Sequence, residues 1–269
     1  MYSVRLTEVT LMARTVALER LSKEGYGQVI CYPRCETEEL ARRLEEMREL
    51  GVKALSFEGE KTVSNTRVLG KGCVGIVVLA HTETGRVALK IRRTDADRAG
   101  MKREAEMLRM ANEVNVGPKL LGFGEDLLMM DFVDGILFPG WIEAVAGEEN
   151  GKLRVGRVLR EILEQCWRLD EAGLDHGELS QASKHIIVDR EDDAVILDFE
   201  TASNGRRASN VTSVCHYFFM RGKPADLISQ TIGGIEREKL LLVLRRYRRN
   251  RTRDNFEAIL RACLVSGVD

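Results

Sequence analysis

Residues 66–92 read TRVLGKGCVGIVVLAHTETGRVALKIR and decide the fold that we predict for this chain. The stretch contains three short apolar runs that indicate β-strands, and a turn at residues 83–85 joins the last two as a hairpin. Between the first two runs it matches the pattern G-x-G-x-x-G-x-V, at Gly70, Gly72, Gly75 and Val77. Glycines in such a turn let backbone N–H groups approach phosphate oxygens. The same turn is equally typical of a purely structural hairpin, so the pattern alone is a weak signal.

A lysine closes the third of these strands, in Val87-Ala88-Leu89-Lys90. A lysine at the end of an apolar strand needs a charge partner, and the charged helix predicted at Asp95–Asn112 offers Glu104. An ion pair between Lys90 and Glu104 would hold the ammonium group where it can meet phosphate oxygens. The alternative is a surface lysine on an edge strand, which the neighbouring glycine turn makes the less favoured interpretation.

The segment Leu128–Gly135, LMMDFVDG, runs from an apolar strand into a polar turn, and a mainly helical half follows it. A hinge between two lobes would lie here. Backbone groups near Asp131 and Val133 would then be free to pair with an adenine base.

In the helical half, Asp198 ends the apolar strand predicted at Ala194–Leu197. A carboxylate is rarely placed at such a position without a cation to meet. Asp198 is therefore a candidate metal ligand, although it could instead cap the turn that follows.

These motifs in this order resemble the protein-kinase superfamily, over roughly residues 66–203. Leu174–Leu179, LDHGEL, looks like the catalytic loop, and Ile196–Glu200, ILDFE, looks like the metal-binding segment. The His-Gly pair in place of His-Arg resembles small atypical kinases. These include RIO kinases, the small kinase of the KEOPS complex and predicted archaeal Ser/Thr kinases. No Walker-type G-x-x-x-x-G-K-[ST] pattern occurs in the chain.

The resemblance implies a Ser/Thr-type protein kinase that binds ATP and Mg²⁺. The glycine loop, with Val77 and Ala88, would enclose the nucleotide. Lys90, held by Glu104, would contact its phosphates, and Asp198 would hold Mg²⁺.

The catalytic carboxylate departs from the family pattern, which has Asp where this chain has Glu178. The resemblance implies that Glu178 orients or deprotonates the attacking hydroxyl. Its side chain is one methylene longer, and a misplacement of about 1 Å can cost on the order of 100-fold in rate. Slow or altered chemistry is therefore expected.

A second departure concerns the metal-binding Asn of the family, which lies five residues after the catalytic carboxylate. That position holds Ser183, but a loop about two residues longer would place His185 there instead. Ser183 or His185 could take the position as metal ligand, or that metal ion is lost. Lys184 could then supply a fixed positive charge in catalysis.

Composition restricts the partners and the location. The 269 residues are 44% hydrophobic and 31% charged, with a net charge of −1, which is typical of a folded protein without a general attraction to nucleic acid or membrane. No apolar run approaches the roughly 18–20 residues that cross a bilayer. Arg5, Glu8 and Arg14 interrupt the apolar core that a signal peptide requires, so we expect a cytoplasmic protein.

The six cysteines are scattered along the chain. Cys31 and Cys35 are separated by three residues, without a second pair or a nearby histidine. Free thiols are therefore favoured over a zinc site.

The predicted fold class is α+β, in three parts. Residues 1–63 form a small α/β extension, with helices at Met12–Lys23 and Glu36–Leu50 and strands at Gln28–Tyr32 and Val52–Phe57. It has no functional motif and could brace the sheet or recruit a partner. Residues 64–134 form an N-lobe with a five-stranded antiparallel sheet and one helix. Residues 135–269 form a short helical C-lobe.

A run of arginines marks the segment Arg245–Arg253. Most such runs are solvated faces, and we favour that interpretation. The alternative is a docking surface for an acidic partner or an RNA backbone, whose binding would weaken steeply with salt. Tyr247 is the only aromatic residue in the run, which is too few for base stacking.

Two other functions remain possible. The departures at residue 178 and at the Asn position favour a nucleotide-binding switch or ATPase that does not phosphorylate protein. The short segment Thr201–Arg221 leaves little platform for an extended peptide, which keeps a small-molecule kinase open.

Overall fold

The computed structural model describes residues 14–220 and 222–263. Of these residues, 46% are helical and 21% are in strands, so the protein is of mixed α+β type. The chain divides into two compact units. The first comprises Met1–Met101 and Gly122–Met130, and the second comprises Lys102–Leu121 and Asp131–Asp269.

The first unit is built on a seven-stranded sheet in the order β1-β2-β6-β7-β9-β8, with β5 paired to β6. The strands of this unit are β1 (Arg14–Ala17), β2 (Ala54–Phe57), β3 (Lys61–Val63), β4 (Thr66–Val68), β5 (Gly70–Lys71), β6 (Gly75–Thr82), β7 (Gly85–Arg92), β8 (Leu120–Phe123) and β9 (Leu127–Asp131). The helices are α1 (Gly27–Ile30) and α2 (Thr37–Glu49), and α3 (Arg98–Glu113) runs on into the second unit. The predicted β6–β7 hairpin and the predicted helices α2 and α3 are confirmed.

Two predictions in the N-terminal extension are wrong. The predicted helix Met12–Lys23 is strand β1 and a 3₁₀ turn over Leu18–Arg20; Met12 lies outside the described residues. The predicted strand Gln28–Tyr32 is instead the short helix α1, which buries Val29 and Ile30. Short apolar runs do not distinguish strand from helix, and pairing of β1 with β2 decides the first case.

The extension is part of the sheet. Strand β2 pairs antiparallel with β6, and β1 pairs with β2, so these two strands of the extension lengthen the sheet that was predicted to begin after residue 63. The predicted strand Thr66–Gly70 is not one strand of that sheet. Its first part, β4, forms a separate two-stranded sheet with β3, around a turn at Ser64 and Asn65. The predicted five-stranded sheet therefore has a different strand set, and β3, at the end of the extension, was not predicted.

A buried ionic network fixes α2 to the sheet. The Arg43 side chain is fully buried, and its Nη1 donates to the carbonyl oxygens of Ile30 at 2.6 Å and Arg92 at 2.5 Å. Its Nε donates to Glu39 at 2.8 Å. Asp126, also fully buried, accepts a hydrogen bond from Arg92 Nε at 2.5 Å. These contacts mean that the extension braces the sheet.

The second unit has a three-stranded sheet, β10-β11-β12, surrounded by helices. Its strands are β10 (Gly135–Leu137), β11 (Ile186–Asp189) and β12 (Ala194–Ile196). Its helices are α4 (Phe138–Val145), α5 (Gly151–Glu171), α6 (Asn210–Phe219), α7 (Lys223–Ile232), α8 (Arg237–Arg249) and α9 (Arg253–Cys263). The sequence pattern predicts the strand pair β11–β12, at Ile186–Val188 and Ala194–Leu197, and helices at Val155–Gly173, Glu236–Arg249 and Asp254–Val265. The structure confirms these strands and helices as α5, α8 and α9, with Val265 outside the described residues, whereas β10 was not predicted. No helix in the described ranges combines the length and apolar character needed to cross a membrane.

The turn between β11 and β12 is held by a carboxylate. Asp192 accepts hydrogen bonds from Trp141 Nε1 at 3.0 Å and from Arg154 Nε at 2.7 Å. The arginine lowers the pKa of this carboxyl below its usual value. The turn is therefore tied to α4 and α5, and the strand pair is fixed at the end that lies opposite His185 and Asp198.

Candidate functional site

Three side chains that could bind a metal ion meet in the second unit. His185 Nε2 lies 3.2 Å from Glu178 Oε2, and His185 Nδ1 lies 3.7 Å from Asp198 Oδ2. One donor atom from each residue lies within 4.8 Å of the others. The histidine side chain is only 9% exposed, whereas the two carboxylate side chains are 41% and 40% exposed. The cluster therefore has a buried floor and an open side.

The strand pair brings two of these residues together. His185 immediately precedes β11, and Asp198 lies two residues after β12. The register pairs Ile186 with Ile196, and the Leu197 N–H donates to the His185 carbonyl at 2.8 Å, which continues the ladder. Because the strands are antiparallel, the start of one lies beside the end of the other. Backbone pairing of the two strands thus brings His185 and Asp198 close together.

A 3₁₀ helix over Leu179–Lys184 brings Glu178 back to this strand end. The His185 N–H donates to the Ala182 carbonyl at 3.0 Å, and the Gln181 N–H donates to the Glu178 carbonyl at 2.9 Å. The loop is long enough to place residue 185, rather than residue 183, beside the two carboxylates. The sequence left these two alternatives open, because loop length alone does not give the path of the chain.

Ser183 and Lys184 lie on the same 3₁₀ helix. The Ser183 hydroxyl faces the Tyr217 hydroxyl, and burial raises the pKa of that phenol to about 12. The side chain of Lys184 is exposed. A metal role for Ser183 and a catalytic role for Lys184 stay predictions.

The backbone at Asp198 has φ = 68°, in the left-handed region. Aspartate tolerates this region better than most residues, but a non-glycine residue there still costs on the order of 1 kcal/mol. Such conformations persist where the surroundings enforce them, and they cluster at functional sites. This geometry supports a role for Asp198 beyond that of a turn cap.

His176 connects the segments that carry Glu178 and Asp198. It is fully buried, and burial lowers its pKa to about 4, so the ring is neutral near pH 7. Its Nε2 lies 2.9 Å from the Leu197 carbonyl, and the Glu178 N–H lies 3.4 Å from its Nδ1. A neutral ring with the proton on Nε2 satisfies both contacts. His176 is therefore a positioning residue, a role that the sequence did not assign.

The glycine after His176 is required by its surroundings. Gly177 has φ = 92°, and a Cβ there would lie 2.7 Å from Arg206 Nη2 and 2.9 Å from Thr201 Oγ1. Arg206 Nε donates to Asp175 at 3.0 Å, and its Nη2 donates to the Thr201 carbonyl at 2.7 Å. The guanidinium group thus occupies the space that a side chain at residue 177 would fill.

A buried polar network supports the loop from below. Asn210 Oδ1 accepts from the His176 N–H at 2.9 Å, and Asn210 Nδ2 donates to the Leu174 carbonyl at 2.7 Å. Asp170 accepts from the Asn210 N–H at 2.8 Å and from the Tyr247 hydroxyl at 3.0 Å. Burial raises the pKa of the Asp170 carboxyl. The sequence did not identify Asp170 or Asn210 as part of the site. The only signal was a carboxylate at a helix position that is expected to be buried.

In the first unit, the glycine pattern forms the predicted hairpin. Gly70 pairs with Val77 across β5 and β6, and the Gly72 N–H donates to the Gly75 carbonyl at 2.8 Å. A Cβ on Gly75 would lie 3.0 Å from both Cγ and Cε of Lys90, so the glycine makes room for the lysine. The Lys90 side chain is buried, with only 6% of the residue exposed. Its burial argues against a surface lysine, whereas phosphate binding stays a prediction.

The remaining predicted nucleotide-binding residues are placed as follows. Ala88 is buried in β7, and Glu104 is buried in α3, in the part that belongs to the second unit. The Asp131 N–H donates to the Lys119 carbonyl at 3.0 Å, and the Val133 carbonyl accepts from the Gly135 N–H at 3.1 Å. Two backbone groups of the predicted hinge are thus already paired. The Lys90–Glu104 ion pair and the contacts with adenine stay predictions.

The residues of the cluster fit a divalent cation. Mg²⁺ is usually bound through one or two carboxylates and keeps several waters, which suits Glu178 and Asp198 at the open side. Imidazole nitrogen is a ligand that first-row transition metals accept well. Among the described residues, His185 Nδ1 is a buried polar atom without a hydrogen-bond partner. A buried donor or acceptor in that state is expected to find a ligand.

No protein-family model matches the chain, and no curated protein matches it at a significant level. Function therefore has to be inferred from the residues described above.

Proposed function

We propose that the protein is an ATP-dependent phosphotransferase, a Ser/Thr protein kinase of the atypical, RIO-like kind, which uses Mg²⁺. One observation carries the proposal: the two segments that resemble a catalytic loop and a metal-binding segment meet at Glu178, His185 and Asp198. Two neighbouring stretches, a loop and the end of the strand pair that follows it, supply the three residues, and a phosphate-transfer site requires such a meeting of a carboxylate base with metal ligands.

Asp198 and His185 would hold the divalent cation, which neutralises charge on the phosphates during transfer. Glu178 Oε would take the proton of the attacking hydroxyl. The hydroxyl oxygen then bonds to the γ-phosphorus, the bond from that phosphorus to the bridging oxygen breaks, and ADP leaves with the bonding electrons. The contact of His185 with Glu178, at 3.2 Å, would orient the longer carboxylate for this task.

The glycine-rich hairpin β5–β6 and Lys90 are the residues proposed to contact the nucleotide. Backbone N–H groups of the turn and the Lys90 ammonium group would meet its phosphates. Support comes from the close fit of Gly75 to the Lys90 side chain.

The test is transfer of the γ-phosphate from radiolabelled ATP to the protein itself and to a general Ser/Thr substrate. We expect Asp198→Ala to lower transfer at least about 100-fold, because it removes a ligand of the cation that would neutralise charge on the phosphates. Asp193→Ala is the matched control. Its carboxylate is 67% exposed in the turn of the same strand pair, so transfer should stay near the wild-type rate. Equal transfer by Asp198→Ala and the wild type would refute the proposal.

A nucleotide-binding switch is the second candidate. If Glu178 serves as a metal ligand beside His185, it is not available as a base. This function would be identified by ATP binding that depends on Asp198, with no transfer of phosphate to protein. Slow hydrolysis of ATP alone would also be consistent with it. Transfer to members of a metabolite panel, but not to protein, would identify a small-molecule kinase.

For partners, we propose a protein substrate and, through Arg245–Arg253, an acidic partner or RNA. No partner role for a membrane is proposed. A cytoplasmic location stays part of this proposal, and fractionation of tagged cells tests it.

A further inference from the structure

Four arginine side chains line one open surface pocket of the second unit, with a volume of about 400 Å³. They are Arg207, Arg245, Arg248 and Arg249. We call this the four-arginine pocket. It lies outside the metal cluster, and none of its residues takes part in the proposed transfer.

Two separate segments build the pocket. Arg245, Arg248 and Arg249 are spaced i, i+3 and i+4 on α8, so they share one face of that helix. Arg207 comes from the segment between β12 and α6, and its Nη2 donates to the Arg248 carbonyl. Arg246, in the same helix, does not line the pocket.

These arginines, like Arg246 on the same helix, have no acidic partner among the described residues, in contrast to two other arginines nearby. Arg253 pairs with Glu164 and Glu257, and Arg206 pairs with Asp175. Within the part of the chain that the structure describes, no carboxylate lies within ion-pair distance of the four guanidinium groups of the pocket. Like charges so close together repel one another unless an anion joins them.

The helix dipole explains only part of this arrangement. Cations in the last turn of a helix are favourable, which accounts for Arg248 and Arg249. Arg207 belongs to another segment, and its Nη2 donates to the Arg248 carbonyl at this helix end. Neither contact neutralises the charges of the guanidinium groups, and an anion is the common partner that would neutralise all four.

A smaller pocket of about 100 Å³ adjoins this one. It shares Arg207 and Arg248 and is also lined by Arg251, Thr212 and Asp170. The Ser209 hydroxyl at its edge already donates to Asp175 at 3.3 Å. The guanidinium groups are therefore the donors that suit phosphate oxygens.

We propose that the four-arginine pocket binds a phosphorylated side chain of a polypeptide. The α8 residues span one helical turn, about 6 Å, which matches one phosphate group or two. A single-stranded RNA would need a longer basic track with exposed aromatic residues, and Tyr247 is buried, with 1% exposed. The inference deepens the proposed basic partner surface and rests on it, but it does not depend on phosphate transfer.

The test is fluorescence anisotropy of the full chain with a labelled ten-residue peptide that carries one phosphoserine. The unphosphorylated peptide and a labelled twelve-nucleotide RNA are the comparison probes. We expect the phosphopeptide to bind at least about 10-fold more tightly than the unphosphorylated peptide, because charge-assisted bidentate contacts form only with phosphate.

Arg207→Ala and Arg248→Ala should each weaken phosphopeptide binding about 10-fold, and Arg248→Lys should weaken it because lysine lacks the planar fork. Arg246→Ala is the matched control, with the same charge change on the same helix, and should change binding less than about 2-fold. Circular dichroism confirms that the variants fold.

Three outcomes would overturn the inference. Equal binding of both peptides would exclude phosphate recognition. Equal losses for Arg246→Ala and Arg207→Ala would show a general basic surface, which leaves the proposed acidic partner in place. Tighter binding of the RNA through the same arginines would assign the surface to nucleic acid.

Discussion

Two clusters of charged residues differ in how far they are open to solvent. In the first unit, Arg43, Arg92 and Asp126 are buried and contact one another and backbone carbonyls. In the second unit, His185 is buried, but the side chains of its two acidic neighbours are 41% and 40% exposed. The closed cluster holds an element in place, whereas the open one has room for a ligand. Access to solvent, more than the presence of paired charges, therefore separates a structural ionic network from a candidate site.

The largest effect should come from breaking the closed cluster. Arg43→Ala removes the donor to the Ile30 and Arg92 carbonyls and one of the guanidinium partners of Asp126, which keeps its contact with Arg92. We expect about 3–5 kcal/mol of lost stability, because buried polar groups lose a hydrogen-bond partner. Urea unfolding followed by circular dichroism measures this loss. Arg48→Ala, whose partner Glu45 is exposed, is the control and should cost less than about 0.5 kcal/mol. Equal costs for the two variants would show that the network does not brace the sheet.

The open cluster should respond through metal affinity. An imidazole ligand favours Mn²⁺ over Mg²⁺, so His185→Asn should weaken Mn²⁺ binding at least about 10-fold and leave Mg²⁺ binding much less changed. Electron paramagnetic resonance of free Mn²⁺, with and without competing Mg²⁺, measures both. His216→Asn, at an exposed position, is the control. Unchanged Mn²⁺ affinity in His185→Asn would mean that the histidine only contacts its acidic neighbours.

A third comparison uses two glycines with positive φ. Gly177→Ala adds a Cβ 2.7 Å from Arg206, whereas Gly173→Ala, at φ = 70°, adds one with nothing within 4 Å. Both substitutions strain the backbone, but only the first displaces the arginine. We expect Gly177→Ala to cost about 1–3 kcal/mol more than Gly173→Ala in urea unfolding. Identical costs would show that Arg206 moves freely.

The smallest effect should come from Gly75→Ala. Its Cβ would lie 3.0 Å from Lys90 Cγ and Cε and must displace a flexible side chain. A stability loss of about 1 kcal/mol is expected, because such overpacking is partly relieved. If Lys90 contacts phosphates, ATP affinity measured by calorimetry should fall as well. Gly100→Ala, which has nothing within 4 Å, is the control.

The sequence predicted the elements whose patterns are strong. The hairpin β6–β7 has eight paired positions and a short polar turn, and α2 has an apolar stripe and a glycine just past its end. Strands β11 and β12 are short apolar runs around a polar turn. Each of these is decided by local pattern, so each could be found without the rest of the chain.

The elements that were predicted wrongly depend on tertiary contacts. Arg14–Ala17 becomes a strand because β2 pairs with it, and no local pattern announces that partner. In the site, Asp198 was identified from its place at the end of an apolar strand and Glu178 through resemblance, but the choice between Ser183 and His185 depends on the path of a 3₁₀ helix. Asn210 was missed because its side chain acts on the backbone of residues more than thirty positions away.

The pairing of β11 with β12 has a consequence for how the site can vary. His185 and Asp198 lie at one end of the two strands. The other end is held in place, because Asp192 accepts hydrogen bonds from Trp141 and Arg154 there. A slip of one residue between them would turn alternate side chains to the opposite face of the sheet. The relative positions of the histidine and the aspartate are thus fixed by a tryptophan and an arginine on the far side of a hairpin. Glu178, reached through a kinked 3₁₀ helix, is the member of the trio whose distance can change while that alignment persists.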